Sequence, residues 1–374
     1  MPMPRPAALT AALLAFALSG LAGDAAARRS AKRADRPLKA HAALHRTSTL
    51  APRAQDEASA IGGYGRRDDV VAFADEITRR HAIDREWLGA TLAQSHYLPN
   101  VARLIMPTPA GSAKNWQAYR ARFVEPVRIR AGLAFRQANA DWLARAEARY
   151  GVPAEIILGI LGVETIYGRQ MGGFRALDAL ATLAFDFPSG RSDRSAFFRD
   201  ELEKFLLLCS RNALDPLAVT GSYAGAIGMP QFMPSSILRH AVDFDGDGRI
   251  DLRGDSADAI GSVANYLATF GWQRGMPTHY AAAAPTELAD RAVLLAPDIV
   301  PSFSAQQLVD RGARLDAAAL RHPGKLALVE LQNGDAAPTY IAGTANFYAI
   351  TRYNWSSYYA MAVIELGAAL AASR

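Results

Sequence analysis

Hydrophobic positions recur at helical spacing along most of this chain, and the texture changes once, late in the sequence. From Asp68 to about Tyr150 the pattern runs Val70, Phe73 and Ile77, then Trp87, Leu88 and Leu92 behind a capping Asp84, then a long helical run from about Val127 to Tyr150. Residues 152–168, VPAEIILGILGVETIYG, predict a helix of about four turns, with Pro153 at its first position and Gly168 just past its end. Phe198, Leu202, Phe205, Leu206 and Cys209 make another helical stripe, so the lone cysteine reads as packed core rather than as a nucleophile. The run AIGSVANYLATFGW predicts a further helix carrying Tyr266. Between about Ala281 and Thr344 the short runs AVLLA, KLALVELQ and TYIAG alternate with Pro, Gly and Asp turns, which predicts a small antiparallel unit. The chain then returns to helix in ANFYAITRYNWSSYYAMAVIELGAALA.

In the stretch 152–168, Ile157, Ile160, Leu161 and Glu164 fall at i, i+3, i+4 and i+7, which places a carboxylate on an apolar face. The last turn of a helix is the negative end of its dipole, and burial disfavours an anion further, so both effects raise the pKa of Glu164. A carboxyl that stays protonated near neutral pH can donate to a leaving oxygen, the task of the acid in glycoside cleavage. The competing reading is a core glutamate paired with an arginine or a backbone amide. Asp178 and Asp186, in the neighbouring segment, are further acids that spacing alone does not dismiss.

Two loops carry further candidate chemistry. GSYAGAIGMPQFMPSS at 221–236 sets Gly, Ser, Tyr and Gln in a short apolar setting with prolines fixing its path, and such a loop can place a hydroxyl and an amide beside a polar ligand. DFDGDGRID has Asp243, Asp245 and Asp247 at alternate positions, Gly248 next, the Arg249 carbonyl at the seventh position and Asp251 at the ninth, as in the opening half of an EF-hand loop. Its twelfth position is Gly254 where a bidentate Glu should stand, so Asp255 or Asp258 must close a calcium site; the alternative is a polar turn without metal. Trp116 and Tyr119 lie beside a Gly/Pro-rich loop, where aromatic rings either stack on sugars or simply pack.

At 374 residues, half of them hydrophobic, the chain is long enough for two or three domains with a sizeable core. Arg5, the apolar run from Ala7 to Leu21 and the small residues around Gly23 to Ala27 read as a secretory signal cleaved near Ala27. No later stretch offers the roughly 20 apolar residues of a membrane helix. Residues 28–67 carry ten Lys or Arg against three Asp or Glu, so the formal charge of +5 belongs to this tail and the body from Asp68 sums to about −2. The tail reads as a disordered linker, either a solvated spacer or a contact for membrane head groups or cell-wall polymers, and nucleic acid is the less fitting partner of an exported chain. With Cys209 alone, no internal disulfide can form, and no cysteine follows the signal to take a lipid anchor. P-loop, GxSxG, HExxH and CxxC motifs are absent from the sequence.

Together GVETIYG, LDALATLAFDFP, GSYAGAIGMPQFMPSS, DFDGDG, DAIGSVANY and NFYAITRYNWSSYYAMAV resemble the membrane-bound lytic murein transglycosylase B family, over roughly residues 68–374. The resemblance implies an α+β, mostly α-helical fold: a helical domain at 68–150 joined by 345–374, a lysozyme-like catalytic core at 151–280 with an EF-hand-like loop at 243–258, and a small β subdomain at 281–344. It implies a bacterial periplasmic enzyme that cleaves the β-1,4 bond between N-acetylmuramic acid and N-acetylglucosamine in peptidoglycan and leaves a 1,6-anhydromuramyl end. Glu164 corresponds to its sole catalytic acid/base. Ser222 and Gln231 correspond to substrate contacts beside it, and Tyr119, Tyr266, Tyr353 and Tyr359 to residues lining the cleft. The family's loop binds structural calcium and is closed by the Asp before the AIGS helix, which is Asp258 here, with Asp243, Asp245, Asp247 and Arg249 as the other ligands. This sequence is one residue longer between Asp243 and Asp258 than the family's form, so Asp255 stays a candidate. Glycan strands are the implied partner, with cell-wall synthesis proteins as a further one. The lipoprotein cysteine of some members is missing, since LSGLAG stands in its place, so a soluble periplasmic form is expected. The rival readings are a hydrolytic muramidase and a non-catalytic peptidoglycan-binding protein.

Overall fold

A computed structural model describes residues 63–107 and 114–373. The expected signal at 1–27, nearly all of the expected linker at 28–67 and part of the loop before Trp116 lie outside the described residues. The architecture is α+β and mostly helical, with one two-stranded and one four-stranded antiparallel sheet. No described helix is long and apolar enough to cross a membrane.

The middle of the fold is the helix Ala154–Thr165. Every residue from Ile156 to Val163 is buried, so this helix is enclosed all round rather than apolar on one face. Burying Ile157, Ile160 and Leu161 completely contributes about 2 kcal/mol each. Its closest partner is the C-terminal helix Ser357–Ala372, and glycines set the spacing. A Cβ on Gly159 would come within 2.2 Å of the Val363 carbonyl oxygen, and one on Gly367 within 2.3 Å of the Glu155 carbonyl oxygen. The two backbones therefore approach closely enough for the start of the C-terminal helix to reach Glu164.

The ends of the central helix differ from the expected ones by a small but consequential amount. Pro153 is extended and caps the helix from outside instead of occupying its first turn. At the other end the helix stops at Thr165, and Ile166, Tyr167 and Gly168 all take positive φ, so Gly168 is the third residue of a left-handed turn. The run expected from Val127 to Tyr150 is two helices, Pro126–Ala138 and Ala140–Tyr150. Asn139 parts them: its side chain donates back to the Phe135 carbonyl and accepts from the Ser256 hydroxyl. Asp84 caps Arg85–Ala93 through the Trp87 amide, as read from sequence. Cys209 lies on Ser195–Arg211 with Phe198, Leu202, Phe205 and Leu206, all buried, and burial pushes its thiol up to about 12.

The four-stranded sheet runs in the spatial order Arg314–Leu315, His279–Ala283, Ala336–Gly343, Ala327–Asn333, with Ile341 opposite both Ala281 and Val329. It has its own small core of Leu294, Leu308, Leu326, Leu328 and Ala342. KLALVELQ and TYIAG supply strands, whereas AVLLA is helical, the end of Leu288–Leu295. That short apolar run buries one side chain fully, Leu294, while Val293 is exposed, which suits a helix covering the sheet rather than a strand within it. The two-stranded ribbon pairs Phe174–Arg175 with Thr220–Gly221 and so ties the exit of the central helix to the loop at 221–236.

Candidate active site

Glu164 is in the last turn of the central helix and is half-buried. Its Oε1 accepts a hydrogen bond from the Tyr359 hydroxyl at 2.6 Å, across 195 residues of chain. Burial raises its pKa to about 7, and the Tyr359 bond, which favours the anion, opposes the rise. Asp178 and Asp186, the acids that sequence left open, are engaged by cations, and the buried Glu201 and Glu203 by a cap and by cations. Asp178 takes Arg175 through both oxygens and the His96 amide, and Asp186 takes Arg67 and the Tyr64 hydroxyl. Glu201 caps the helix Pro234–His240 through Ser235, and Glu203 meets His81, Arg80 and Lys204. Glu164 has no ion-pair partner among the described residues, so nothing nearby stabilises its charge beyond one phenol.

The four tyrosines gather around this carboxyl. Tyr353 and Tyr359 stack with centroids 6.2 Å apart and planes 15° apart, and Tyr266 lies 4.8 Å from Tyr353. Tyr353 donates to the Pro230 carbonyl at 2.5 Å and Tyr266 to the Arg352 carbonyl at 2.7 Å, which fixes both rings. Tyr119 packs on Phe123, Tyr358 and Trp116. Burial raises the pKa of all four phenols, and the charge of Glu164 adds to the rise in each. All four therefore stay neutral donors at physiological pH.

Ser222 and Gln231 come from the loop at 221–236, which doubles back through the bridge between Ile227 and Phe232. The Ser222 oxygen accepts from the Ala224 and Ala226 amides, at 3.3 and 3.1 Å. Gln231 has φ of +51°, and its side-chain nitrogen donates to the Met171 and Gly228 carbonyls, at 3.2 and 2.9 Å. Its Oε1 is buried with no partner among the described residues.

Sequence reasoning assigned nothing to two residues whose side chains bond the backbone near Glu164. Arg128 is buried and donates Nε to the Gly162 carbonyl at 2.7 Å and Nη1 to the Arg122 carbonyl at 2.7 Å, placing a cation at the negative end of the central helix. Thr165 is fully buried, and its hydroxyl meets the Met229 carbonyl. Arg128 sits in a helical run of mixed charge, which gave no sign of its burial; Thr165 stood inside a quoted motif.

Asp243, Asp245 and Asp258 each bring a carboxylate oxygen within 4.8 Å of the others. Asp258 is 1% exposed, and it accepts the Phe244 and Asp251 amides at 2.7 Å each. Burial raises its pKa, with the charges of Asp255 and Asp245 adding to the rise, a combination that a bound cation would relieve. Asp247 turns its carboxylate to the Arg249 amide, and Asp255 is the cap of Ser256–Thr269, accepting from Ala257 and Asp258. This donor set of hard oxygens suits a cation such as calcium.

Comparison with known proteins decides the family. The family model described as transglycosylase SLT domain matches residues 65–368. The chain belongs to this family. It is 41% identical over 327 residues to the membrane-bound lytic murein transglycosylase B of Escherichia coli (strain K12), covering 84% of this chain and 85% of that protein. Among solved structures it is similar to the soluble lytic transglycosylase SltB1 from Pseudomonas aeruginosa, with 43% identity, 81% of this chain and 98% of that chain covered, and a TM-score of 0.74. It is also similar to the Escherichia coli lytic transglycosylase Slt35 in complex with calcium, with 41% identity, 84% and 96% covered, and a TM-score of 0.73. This chain is a lytic transglycosylase, an enzyme of murein, with a mostly helical fold like that of Slt35.

Proposed function

We propose that this lytic transglycosylase cleaves the β-1,4 bond between N-acetylmuramic acid and N-acetylglucosamine in peptidoglycan, with Glu164 as its single acid/base. The observation that carries this reading is the half-buried Glu164 carboxyl, without an ion-pair partner among the described residues, bonded to Tyr359 and raised by desolvation to about 7. Protonated, it gives its proton to the glycosidic oxygen as that bond breaks and positive charge develops at the muramic acid anomeric carbon. The N-acetyl group of the substrate stabilises that centre. Glu164, now anionic, takes the proton of the muramic acid 6-hydroxyl, whose oxygen bonds to the anomeric carbon and closes the 1,6-anhydro ring. No water is consumed and no second carboxylate acts.

In this reading Tyr119, Tyr266, Tyr353 and Tyr359 wall the sugar, and Ser222 and the free Gln231 oxygen orient it. Asp243, Asp245 and Asp258, whose carboxylate oxygens lie together, would hold calcium with the Arg249 carbonyl, with Asp247 as a further ligand and Asp255, the cap of Ser256–Thr269, as the substitute for Asp258. The ion would neutralise the crowded carboxylates and stabilise the loop. Residues 151–280 form the lysozyme-like core, 68–150 and 345–374 the helical domain, and 281–344 the β subdomain. The signal and the lack of a cysteine after it support a soluble periplasmic enzyme acting on glycan strands.

Mass spectrometry of fragments released from purified peptidoglycan tests the reading. Muropeptides lighter by one water than hydrolysed ones are the expected products. Hydrated fragments would mean a muramidase, and absence of fragments from the folded protein would mean a binding role.

A further inference from the structure

Three of the five non-glycine residues with positive φ among the described residues lie in the turn after Glu164 or in the loop at 221–236: Ile166 at 50°, Tyr167 at 56° and Gln231 at 51°. A β-branched residue such as Ile166 adopts this region only at a cost of about 1–3 kcal/mol, so its surroundings must hold it there. Main-chain bonds do part of this: Tyr167 donates to the Leu161 carbonyl at 3.1 Å and Gln170 to the Thr165 carbonyl at 2.9 Å.

The remaining tie is the Thr165 side chain. Its oxygen accepts from the Gly168 amide at 2.9 Å, which closes the left-handed turn on itself. Its proton faces the Met229 carbonyl at 2.8 Å, with the Leu161 carbonyl of its own helix farther off at 3.4 Å. Met229 is two residues before Gln231, and the intervening Pro230 carbonyl receives Tyr353. One buried hydroxyl thus links the two strained segments that carry Glu164 and Gln231.

We propose that the Thr165 hydroxyl is a positioning group of the reaction, fastening the turn after Glu164 to the Met229 carbonyl and so fixing the Glu164 carboxyl relative to Gln231. Thr165 touches no substrate; it acts through those two residues. The inference rests on the reading of Glu164 as the acid/base. Removing the hydroxyl while keeping the shape leaves the Met229 carbonyl and the Gly168 amide without a partner, and the turn is released to relax away from positive φ. Glu164 then moves toward water, where its acid form is lost at lower pH.

Thr165→Val, Thr165→Ser and Glu164→Gln, assayed for anhydro-product release against pH, test this. Thr165→Val is expected to lose kcat by tenfold or more, on the order of what small misplacements cost, with a smaller change in KM. Its alkaline limb should shift to lower pH, and Thr165→Ser should restore both. Should Thr165→Val not fold, Thr165→Cys, a weak donor of similar size, should move kcat and the limb in the same direction. Wild-type kcat and an unmoved limb in a folded Thr165→Val or Thr165→Cys overturn the proposal, whatever happens to Tm. Turnover retained in Glu164→Gln would instead sink the reading on which it rests.

Discussion

The central helix's end and the start of the loop at 243–258 each present a carboxyl group, Glu164 and Asp243, and their surroundings drive the two in opposite directions. Glu164 sits where helix carbonyls, not amides, point, with a phenol as its hydrogen-bond partner, and is raised to about 7. Asp243, at an exposed turn, bears some burial cost yet accepts the Gly248 and Gly246 amides and is held below the usual carboxylate range. The same functional group becomes a proton donor in one place and a fixed anion in the other. Amides and burial together decide which: two amides converge on Asp243 and, among the described residues, none on Glu164, while Asp258, which also accepts two amides, is raised because burial outweighs them.

The sharpest way to break this contrast is Glu164→Gln. Loss of the proposed acid/base should lower turnover by about a thousandfold or more. Stability should move the other way. Because the folded pKa is raised from 4.5 to about 7, the folded state holds the proton longer, so ionisation destabilises it progressively across that window and fully above it. The variant should therefore match wild type near pH 4 and be more stable at pH 8, on the order of 2 kcal/mol, in thermal melts. Equal melts at both pH values would mean that Glu164 is not strained by its charge.

Asp258→Asn probes the other side. It sets a side-chain amide against the Phe244 and Asp251 amides and should cost about 2–3 kcal/mol, with loss of any calcium-induced rise in Tm. Chelation should lower the Tm of wild type while leaving turnover intact below the transition. Loss of turnover without a fall in Tm would place the ion in the chemistry instead.

Smaller effects sharpen the picture. Turnover should fall as pH rises through about 7, and Tyr359→Phe, by removing a bond that favours the anion, should move that limb upward. A downward shift would contradict the assignment of that bond. Asp255→Ala should cost only about 1 kcal/mol for the lost cap and keep the calcium response. If the calcium response vanishes, Asp255 and not Asp258 closes the loop.

Much of this was legible in the sequence because it is local. Spacing alone located DFDGDG, the Asp84 cap, the buried stripe of Cys209 and the apolar helix ending in Glu164. Where the reading went astray, a distant contact had decided the local structure. Asn139 splits a continuous helical pattern because Ser256 meets its side chain. AVLLA carries no period that separates strand from helix, and the sheet beneath it settles the matter. Isoleucine has no preference for positive φ, so the turn at Ile166 could not be foreseen, and Pro153 differs from the expected position by a single residue. Asp178 and Asp186 lost their candidacy only when Arg175 and Arg67 were seen against them. The tyrosine that bonds Glu164 comes from 195 residues away, and only the resemblance pointed to it.

Infrared difference spectroscopy of wild type against Glu164→Gln, titrated from pH 4 to 9, measures the protonation of this one carboxyl directly. A protonated carbonyl band that disappears with a midpoint near 7 is the predicted result. A midpoint near that of an ordinary glutamate, about 4.3, would contradict the account, since Glu164 would then be an anion throughout the range in which an acid is needed.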